Sequence, residues 1–261
     1  MAEWALILGS SSGFGEACSL ELARTGLNVF GVHLDRRATM PHVEEVIAGI
    51  QAHKREAVFF NVNAADAEKR AEVLNQIETK FKGQAGTVRV LVHSLAFGTL
   101  KPYIGQTAEE VLSKQQMDMT LDVMAHSLVY WVQDLVARQL MGKGGRVFAM
   151  TSSGGARIFP TYGAVSAAKA ALESHIRQLT FELAPLGITA NAIRAGVTDT
   201  PALRKIPGNE QLMKHALERN PHGRLTTPQD VAAAIAVLCH PNTHWLTGNV
   251  IGVDGGEDIV G

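Results

Sequence analysis

The feature that most constrains the fold is an alternation of short apolar runs with segments of helical periodicity, which continues along the whole chain. Runs of strand length occupy residues 5–8, 29–34, 57–60, 88–92, 147–150, 188–193 and 250–253. Several are almost continuously apolar, as strands covered on both faces should be. The segments between them, such as 65–81, have helical periodicity. The sequence therefore predicts an α/β fold, a Rossmann-type doubly wound parallel sheet with helices on both faces.

A single domain is expected over residues 1–261, because a chain of this length can form one stable core and contains no linker or repeat. A formal net charge of −1 argues against nucleic acid or an anionic membrane as the main partner. No apolar run reaches membrane-spanning length, and no basic region precedes an apolar stretch at the start. These features predict a soluble, cytoplasmic protein.

The two cysteines, Cys18 and Cys239, lie far apart in sequence and within predicted helices. We expect both to be small buried hydrophobic side chains in a reducing compartment. The ten histidines show no metal-ligand spacing, so no metal site is predicted.

The junction between the first strand and the first helix carries three glycines in the stretch Gly-Ser-Ser-Ser-Gly-Phe-Gly. Glycines permit a tight turn and let main-chain N–H groups approach a pyrophosphate, which then lies at a positive helix N-terminus. At this place in an alternating chain, the loop predicts a nucleotide-binding site formed by Gly9, Ser12, Gly13, Phe14 and Gly15.

The end of the second strand bears on the choice of cofactor. Asp35 at this position favours a free ribose 2′-hydroxyl, whereas Arg36 and Arg37 are suited to a 2′-phosphate. Two adjacent guanidinium groups favour NADPH, with NADH as the alternative, although the same residues also fit a solvated charged loop. Asn61 and Val62, after the third strand, are placed to line the adenine pocket.

A tyrosine and a lysine seven residues apart open the long helical stretch that ends at Pro185. Seven residues are about two turns, so Tyr162 and Lys169 are expected on one face. A positive field from the lysine would lower the phenol pKa and suit it to proton transfer. The same stretch also fits a buried helix with one ordinary tyrosine and one surface lysine.

Taken together, these features resemble the short-chain dehydrogenase/reductase superfamily over essentially the whole chain. The glycine loop, Ser152 after the fifth strand, Lys169, the Asn-Ala-Ile stretch 191–193 and the Val-Asp-Gly-Gly stretch 253–256 all match its pattern. The resemblance implies roles in cofactor binding for Ser94, Leu95, Lys169, Gly196, Thr198 and Thr200. It also suggests a homotetramer.

Three departures from that pattern identify a branch. Most members place the tyrosine four residues before the lysine, where this chain has Val165, and Met124 stands where an asparagine usually completes a proton relay. Residues 93–98 replace the usual Asn-Asn-Ala-Gly. These differences, with Asp122 and Ser127 on the following helix, are similar to the divergent enoyl-acyl carrier protein reductases.

Within that branch the glycine loop and residues 157–162 resemble the NADPH-dependent form first known from Bacillus. The commoner NADH form has a second tyrosine ten residues before the catalytic one, where this chain has Ser152. The resemblance implies Tyr162 and Lys169 as catalytic residues and Ala96, Phe97 and Tyr162 as substrate contacts.

The shift of the tyrosine by one helical turn has a chemical explanation. A carbonyl reductase delivers hydride to the carbon that bears the oxygen, whereas an enoyl thioester accepts hydride at its β-carbon, and charge develops on a carbonyl oxygen two bonds further away. A turn of about 5 Å moves the donor by a comparable distance. The phenol can then stabilise the enolate where charge appears.

A substrate flap is expected at residues 198–221, where Arg204 and Lys205 are adjacent. A substrate carried on the acidic acyl carrier protein would be drawn to these charges, although a solvated helix face explains them equally well. The favoured function is enoyl-acyl carrier protein reduction. The alternatives are a carbonyl, 3-oxoacyl or alcohol oxidoreductase of the same fold and a non-catalytic nucleotide-binding protein.

Overall fold

The computed structural model describes residues 1–260, and its centre is one seven-stranded sheet in which every paired neighbour is parallel. The strands are β1 (Ala2–Leu8), β2 (Asn28–His33), β3 (Ala57–Asn61), β4 (Gly86–His93), β5 (Arg146–Thr151), β6 (Thr189–Ala195) and β7 (Val250–Val253). Their order in the sheet is β3-β2-β1-β4-β5-β6-β7. The predicted α/β fold is confirmed, and each predicted apolar run overlaps a strand, although Leu34 and Ile188 lie just outside β2 and β6.

Eight α-helices accompany the sheet in the described part of the chain. They are α1 (Gly13–Arg24), α2 (Met40–Ala52), α3 (Ala67–Gly83), α4 (Lys114–Leu121), α5 (Ser127–Ala137), α6 (Gly163–Leu183), α7 (Asn209–Arg219) and α8 (Pro228–Leu238). Buried residues of α3, α5 and α6 form one core cluster with the sheet, and those of α1, α2 and α8 form the other. None of these helices is long and apolar enough to cross a membrane.

Strand β1 shows why the strands are continuously apolar. Trp4, Leu6 and Leu8 belong to the core on one side of the sheet, and Ala5 and Ile7 belong to the core on the other. Successive strand residues point to opposite faces, so a sheet covered on both faces needs apolar residues at every position.

The order of the strands creates a crevice between β1 and β4. From β1 the chain runs outward to β2 and β3, then returns to β4 on the other side of β1. In open α/β sheets, ligands bind where the strand order reverses, beyond the carboxyl ends of the strands. The loops after β1 and β4 flank this position, and the Ser94 amide donates to the Leu8 carbonyl at 2.8 Å.

A short π-helix, Asp122–His126, interrupts the regular helix between α4 and α5. Its wider turn buries Met124 in the core and leaves Nδ1 of His126 3.0 Å from Nε2 of His175 on α6. Single π-turns within α-helices often lie at functional sites. The helix between α4 and α5 is therefore irregular where it contacts α6.

Candidate active site

The glycine loop after β1 has no room for side chains at two of its three glycines. A Cβ atom on Gly9 would lie 2.5 Å from the Ser94 carbonyl oxygen, and one on Gly15 would lie 1.9 Å from the Gly9 oxygen. Gly9 and Gly13 also have positive φ angles of 89° and 56°. The loop is therefore a main-chain cradle that only glycine can form.

Helix α1 begins within this loop, at Gly13, so Phe14 and Gly15 already belong to its first turn. The first N–H groups of an α-helix have no partner in the helix and carry the positive end of its dipole. The Ser12 side chain does not cap them. The residues present therefore fit the pyrophosphate of a dinucleotide.

Asp35 is held rigidly beyond the end of β2. Its carboxylate lies 3.0 Å from Nδ1 of His33, and its main-chain N–H and C=O are bonded to the Asn61 amide at 2.9 and 3.0 Å. Burial alone would raise the pKa of Asp35, but hydrogen bonds with Ser11, Thr39 and His33 outweigh it and lower the pKa. A fixed negative charge therefore adjoins the glycine loop.

The other predicted residues of the adenosine side lie nearby. Arg36 and Arg37 are exposed, and Val62 packs against the core. Asn61 was predicted to line the adenine pocket, but both ends of its amide bond the Asp35 main chain, so it also fixes the end of β2.

Lys169 is buried below the carboxyl end of β5. Its Nζ atom donates to the Met150 carbonyl oxygen at 2.6 Å, and only 6% of the residue is exposed. Burial lowers its pKa to about 8, although Glu173 opposes the shift. The lysine is therefore a cation that can lose its proton within a physiological range.

Tyr162 lies immediately before α6, which corrects the expectation that it belongs to the helix. Its carbonyl accepts the Ser166 N–H at 2.8 Å, so it faces the first turn. The preceding Thr161 has φ 61°, an uncommon conformation for a β-branched residue. The stretch that carries the phenol is therefore a strained turn and not the regular helix that the sequence predicts.

The environment of the phenol also differs from expectation. Burial raises the pKa of Tyr162, and a hydrogen bond with Ser152 opposes the shift only in part. The expectation that Lys169 lowers the pKa of Tyr162 is wrong, because the pKa is raised and Lys169 is not among the groups that shift it. The ring packs closely on Gly154, where a Cβ would lie 2.6 Å from Cε1. The phenol therefore stays protonated at neutral pH and can donate a hydrogen bond.

Two predicted cofactor loops approach each other at the crevice. Ser94 and Leu95 lie beside Gly9, because a Cβ there would meet the Ser94 oxygen and, at 3.5 Å, Cδ2 of Leu95. A Cβ on Gly13 would lie 3.4 Å from Cγ2 of Thr200, so the loop after β6 adjoins the glycine loop as well.

Within the loop after β6, Thr198 and Thr200 are buried, and the Thr198 hydroxyl donates to the Gly196 carbonyl at 2.9 Å. Glu257, which sequence reasoning missed, also reaches this loop, where its carboxylate accepts the Val197 N–H at 3.1 Å. Only the spacing of an acidic residue after the 253–256 stretch could have drawn attention to it.

The mouth of the crevice is apolar. Phe97 is 62% exposed, Ile158 is 99% exposed, and Ala96 is also exposed. Tyr103, which sequence reasoning missed, lies against the start of α6, since a Cβ on Gly163 would be 2.5 Å from its Cζ. The predicted substrate contacts Ala96 and Phe97 are thus exposed, whereas Tyr162 is half-buried.

The flap carries less free positive charge than its sequence indicates. Arg204 is exposed, but its guanidinium forms two bonds to the Asp199 carboxylate at 2.7 and 2.9 Å. Arg204 is thus paired within the flap, and the docking role of Arg204 and Lys205 stays a prediction. Lys205 is exposed.

Comparisons with known proteins agree with this geometry. The family model described as enoyl-(acyl carrier protein) reductase matches residues 9–257. The chain is similar to enoyl-[acyl-carrier-protein] reductase [NADH] of Aquifex aeolicus, with 31% identity over 176 residues, which are 67% of this chain and 64%, just under two thirds, of that protein. It is also similar to 1-cyclohexenylcarbonyl-CoA reductase of Streptomyces collinus, with 28% identity over 257 residues, 98% of this chain and 86% of the relative. The crystal structure of the Aquifex enzyme has a TM-score of 0.83 at 26% identity and covers 99% of this chain and 97% of its own.

Proposed function

The chain belongs to the enoyl-(acyl carrier protein) reductase family of short-chain dehydrogenases/reductases, and on that premise we propose that it reduces the double bond of a 2-enoyl thioester in fatty-acid synthesis. It is an oxidoreductase of this family, for which a nicotinamide cofactor is expected. The two relatives described above are named for reductions of acyl-carrier-protein and coenzyme A substrates, which supports a thioester as the substrate class.

The observation that carries the proposal is the position of the phenol relative to Lys169. Val165, four residues before the lysine on α6, is 5% exposed and packed in the core, so no donor stands where a carbonyl reductase of this superfamily usually has one. Tyr162 lies about one turn earlier, which suits an oxygen further from the carbon that receives hydride.

In the proposed mechanism the reduced nicotinamide, when bound, supplies the hydride. Tyr162 donates a hydrogen bond from its protonated phenol to the thioester oxygen, where negative charge develops. Lys169 holds a positive charge beneath the site and, through its bond to the Met150 oxygen, keeps that charge fixed. The exposed apolar side chains at the mouth offer a surface for the acyl chain.

The cofactor choice rests on Asp35. An ionised carboxylate held beside the glycine loop repels a 2′-phosphate and can accept a bond from a free 2′-hydroxyl. We propose NADH on this basis, and the name of the Aquifex relative is in line with it. The exposed Arg36–Arg37 pair supports NADPH, the cofactor predicted from sequence.

We further propose that the acyl substrate arrives on acyl carrier protein, with Lys205 as the main docking cation. Exposed aromatic side chains on α5 and α6, Tyr130 and Phe181, support self-association, for which we propose a tetramer. The free cysteines Cys18 and Cys239 support a reducing, cytoplasmic location.

A carbonyl or 3-oxoacyl reductase is the second candidate, because Ser152 stands after β5, where ordinary members of the superfamily carry a catalytic serine, and it opposes the rise in the pKa of Tyr162. Parallel assays with crotonyl and acetoacetyl thioesters, each with NADH and NADPH, separate the two. Faster reduction of the crotonyl thioester supports the proposal, and faster reduction of the acetoacetyl thioester contradicts it.

A further inference from the structure

The segment 254–260, which follows β7, is bonded to three separate parts of the site. Glu257 accepts the Val197 N–H of the loop after β6, and Asp258 pairs with Arg157 of the loop that leads to Tyr162. At its far end, the Val260 carbonyl accepts two bonds from Arg219, the last residue of α7 in the flap. No catalytic role described above uses this segment.

Glu257 is the most unusual member because it is a carboxylate buried against main chain. It is 8% exposed, and its two oxygens lie 3.1 and 3.3 Å from the Val197 nitrogen. The close approach requires glycine at 196, since a Cβ there would be 2.9 Å from Oε2 of Glu257 and 2.3 Å from Oγ1 of Thr226. Burying a carboxylate is costly unless its bonds are well formed.

Three charged side chains act on the Glu257 carboxylate, but none of them holds it in place. Burial raises its pKa, the Val197 N–H opposes this, the neighbouring Asp254 and Asp258 raise it further, and Arg219 lowers it. No salt bridge holds Glu257 among residues 1–260, so its fixed partner is the amide of Val197. This amide lies between Gly196 and Thr198, which are both predicted cofactor contacts.

Asp258 extends the connection to the other half of the site. Its carboxylate lies 2.7 Å from Arg157 and 3.2 Å from Arg194 on β6, and Arg157 also donates to its main-chain carbonyl at 3.0 Å. One short segment therefore joins the cofactor loop after β6 to the loop that carries Tyr162.

We propose that Glu257 is a positioning residue that fixes the 196–200 loop for the cofactor, and that Asp258 positions the Tyr162 loop through Arg157. This deepens the proposed function, on which it rests for the nicotinamide cofactor and for the catalytic role of the Tyr162 phenol. An unfixed loop must be ordered when the cofactor binds, so loss of the Glu257 bond weakens binding. Loss of the Arg157 bond instead acts on the placement of the phenol.

The first test measures the dissociation constant of NADH and of NADPH by fluorescence titration without any acyl substrate. Glu257→Ala is expected to raise the constant of the preferred cofactor about tenfold, whereas Glu257→Gln, whose amide oxygen can still accept the Val197 N–H, stays within about twofold of the parent. Glu72→Ala, at an exposed glutamate on α3 that pairs with Lys69, is the matched control and is expected to change nothing.

An unchanged constant in Glu257→Ala, or an equal loss in Glu257→Gln, overturns the role of Glu257. If Glu257→Ala does not fold, Glu257→Asp, which withdraws the carboxylate by one methylene, is held to the same criterion. Because no thioester is present, these outcomes do not depend on whether the enzyme reduces enoyl or carbonyl substrates.

The second test concerns the Asp258 arm. Arg157→Met is expected to lower kcat about tenfold on whichever thioester the parent reduces and to leave the cofactor dissociation constant within about twofold. A change in the cofactor constant with kcat unaltered contradicts the assignment of this arm to the Tyr162 loop.

Discussion

The Nζ atom of Lys169 lies 2.6 Å from the Met150 carbonyl oxygen, so the ammonium group is tied to the carboxyl end of β5 and not to a carboxylate. A carbonyl oxygen fixes the position of the cation without neutralising it. The positive charge therefore stays available to the site, while burial makes the proton easier to lose.

Activity should consequently fall as the pH rises through about 8. Lys169 carries its charge below that value and loses it above, whereas an ordinary lysine stays charged to about pH 10.5. A plot of log kcat/KM between pH 6 and 10 is expected to bend downward near pH 8. A Lys169→Arg variant that retains activity should lack this bend, and a flat profile to pH 10 in the parent contradicts the assignment.

The Tyr162 hydroxyl should act mainly in the transition state. Tyr162→Phe is expected to lower kcat by about 10² or more while the cofactor dissociation constant stays unchanged. Tyr103→Phe, at the apolar mouth, is the matched control and should cost less than about fivefold, since this tyrosine is expected to pack and not to donate. Near-parental turnover in Tyr162→Phe would remove the tyrosine from the mechanism.

Asp35 should set the preference between cofactors. Asp35→Asn removes the charge and keeps a hydrogen-bond acceptor, so the ratio of kcat/KM for NADPH to that for NADH is expected to rise about 10- to 100-fold. Alanine at both Arg36 and Arg37 is the complementary variant. If that variant raises the KM for NADPH alone, and Asp35→Asn leaves the ratio unaltered, the sequence-based preference for NADPH is correct.

Lys205 should matter for a carrier-protein substrate and not for a small one. Lys205→Glu is expected to lower kcat/KM on an enoyl-acyl carrier protein severalfold at low salt and less at high salt, because exposed charges are screened within about 8–10 Å. Crotonyl-CoA serves as the control substrate and should be turned over at the parental rate. An equal loss on both substrates would mean that Lys205 shapes the flap.

His93 should make the fold sensitive to acid. Its Nε2 atom is bonded to Ser127 at 2.9 Å, and burial, with the charge of Lys169, lowers its pKa to about 3. Between pH 6.5 and 3 the unfolded histidine binds a proton that the folded one does not, so the free energy of unfolding decreases as the pH falls, by at most about 1.4 kcal/mol per pH unit.

Urea unfolding at pH 7.5 and 5.5 measures this term. The decrease in stability should be smaller in His93→Gln than in the parent, and the exposed His215→Gln should behave like the parent. An identical decrease in His93→Gln and the parent would show that His93 does not contribute.

The strands and the glycine loop could be predicted from sequence because each is determined locally. A strand buried on both faces must be apolar at every position, as β1 is, and Gly15 is required by its contact with Gly9 in the same loop. Tyr162 and Lys169 were found because their spacing is local too, although the strained Thr161 and the start of α6 at Gly163 were not.

Relationships over long distances in sequence escaped prediction. Glu257 and Val197 are 60 residues apart, and nothing in either local pattern indicates that one bonds the other. The pair of Arg204 and Asp199 is closer, but a count of charges could not show that the two side chains bond each other. Such contacts depend on how loops at the same edge of the sheet fold back over it.

The π-helix Asp122–His126 has a consequence for tracing the ancestry of this chain. A π-turn is formed when one extra residue is accommodated inside a helix, and the residues beyond it are then turned by about 100° relative to those before it. An alignment with any relative whose helix is regular there therefore requires a gap within this turn. Asp122 and Ser127 then lie on opposite sides of the gap. The residue of the relative that is aligned with Met124 depends on where in the turn the gap is placed.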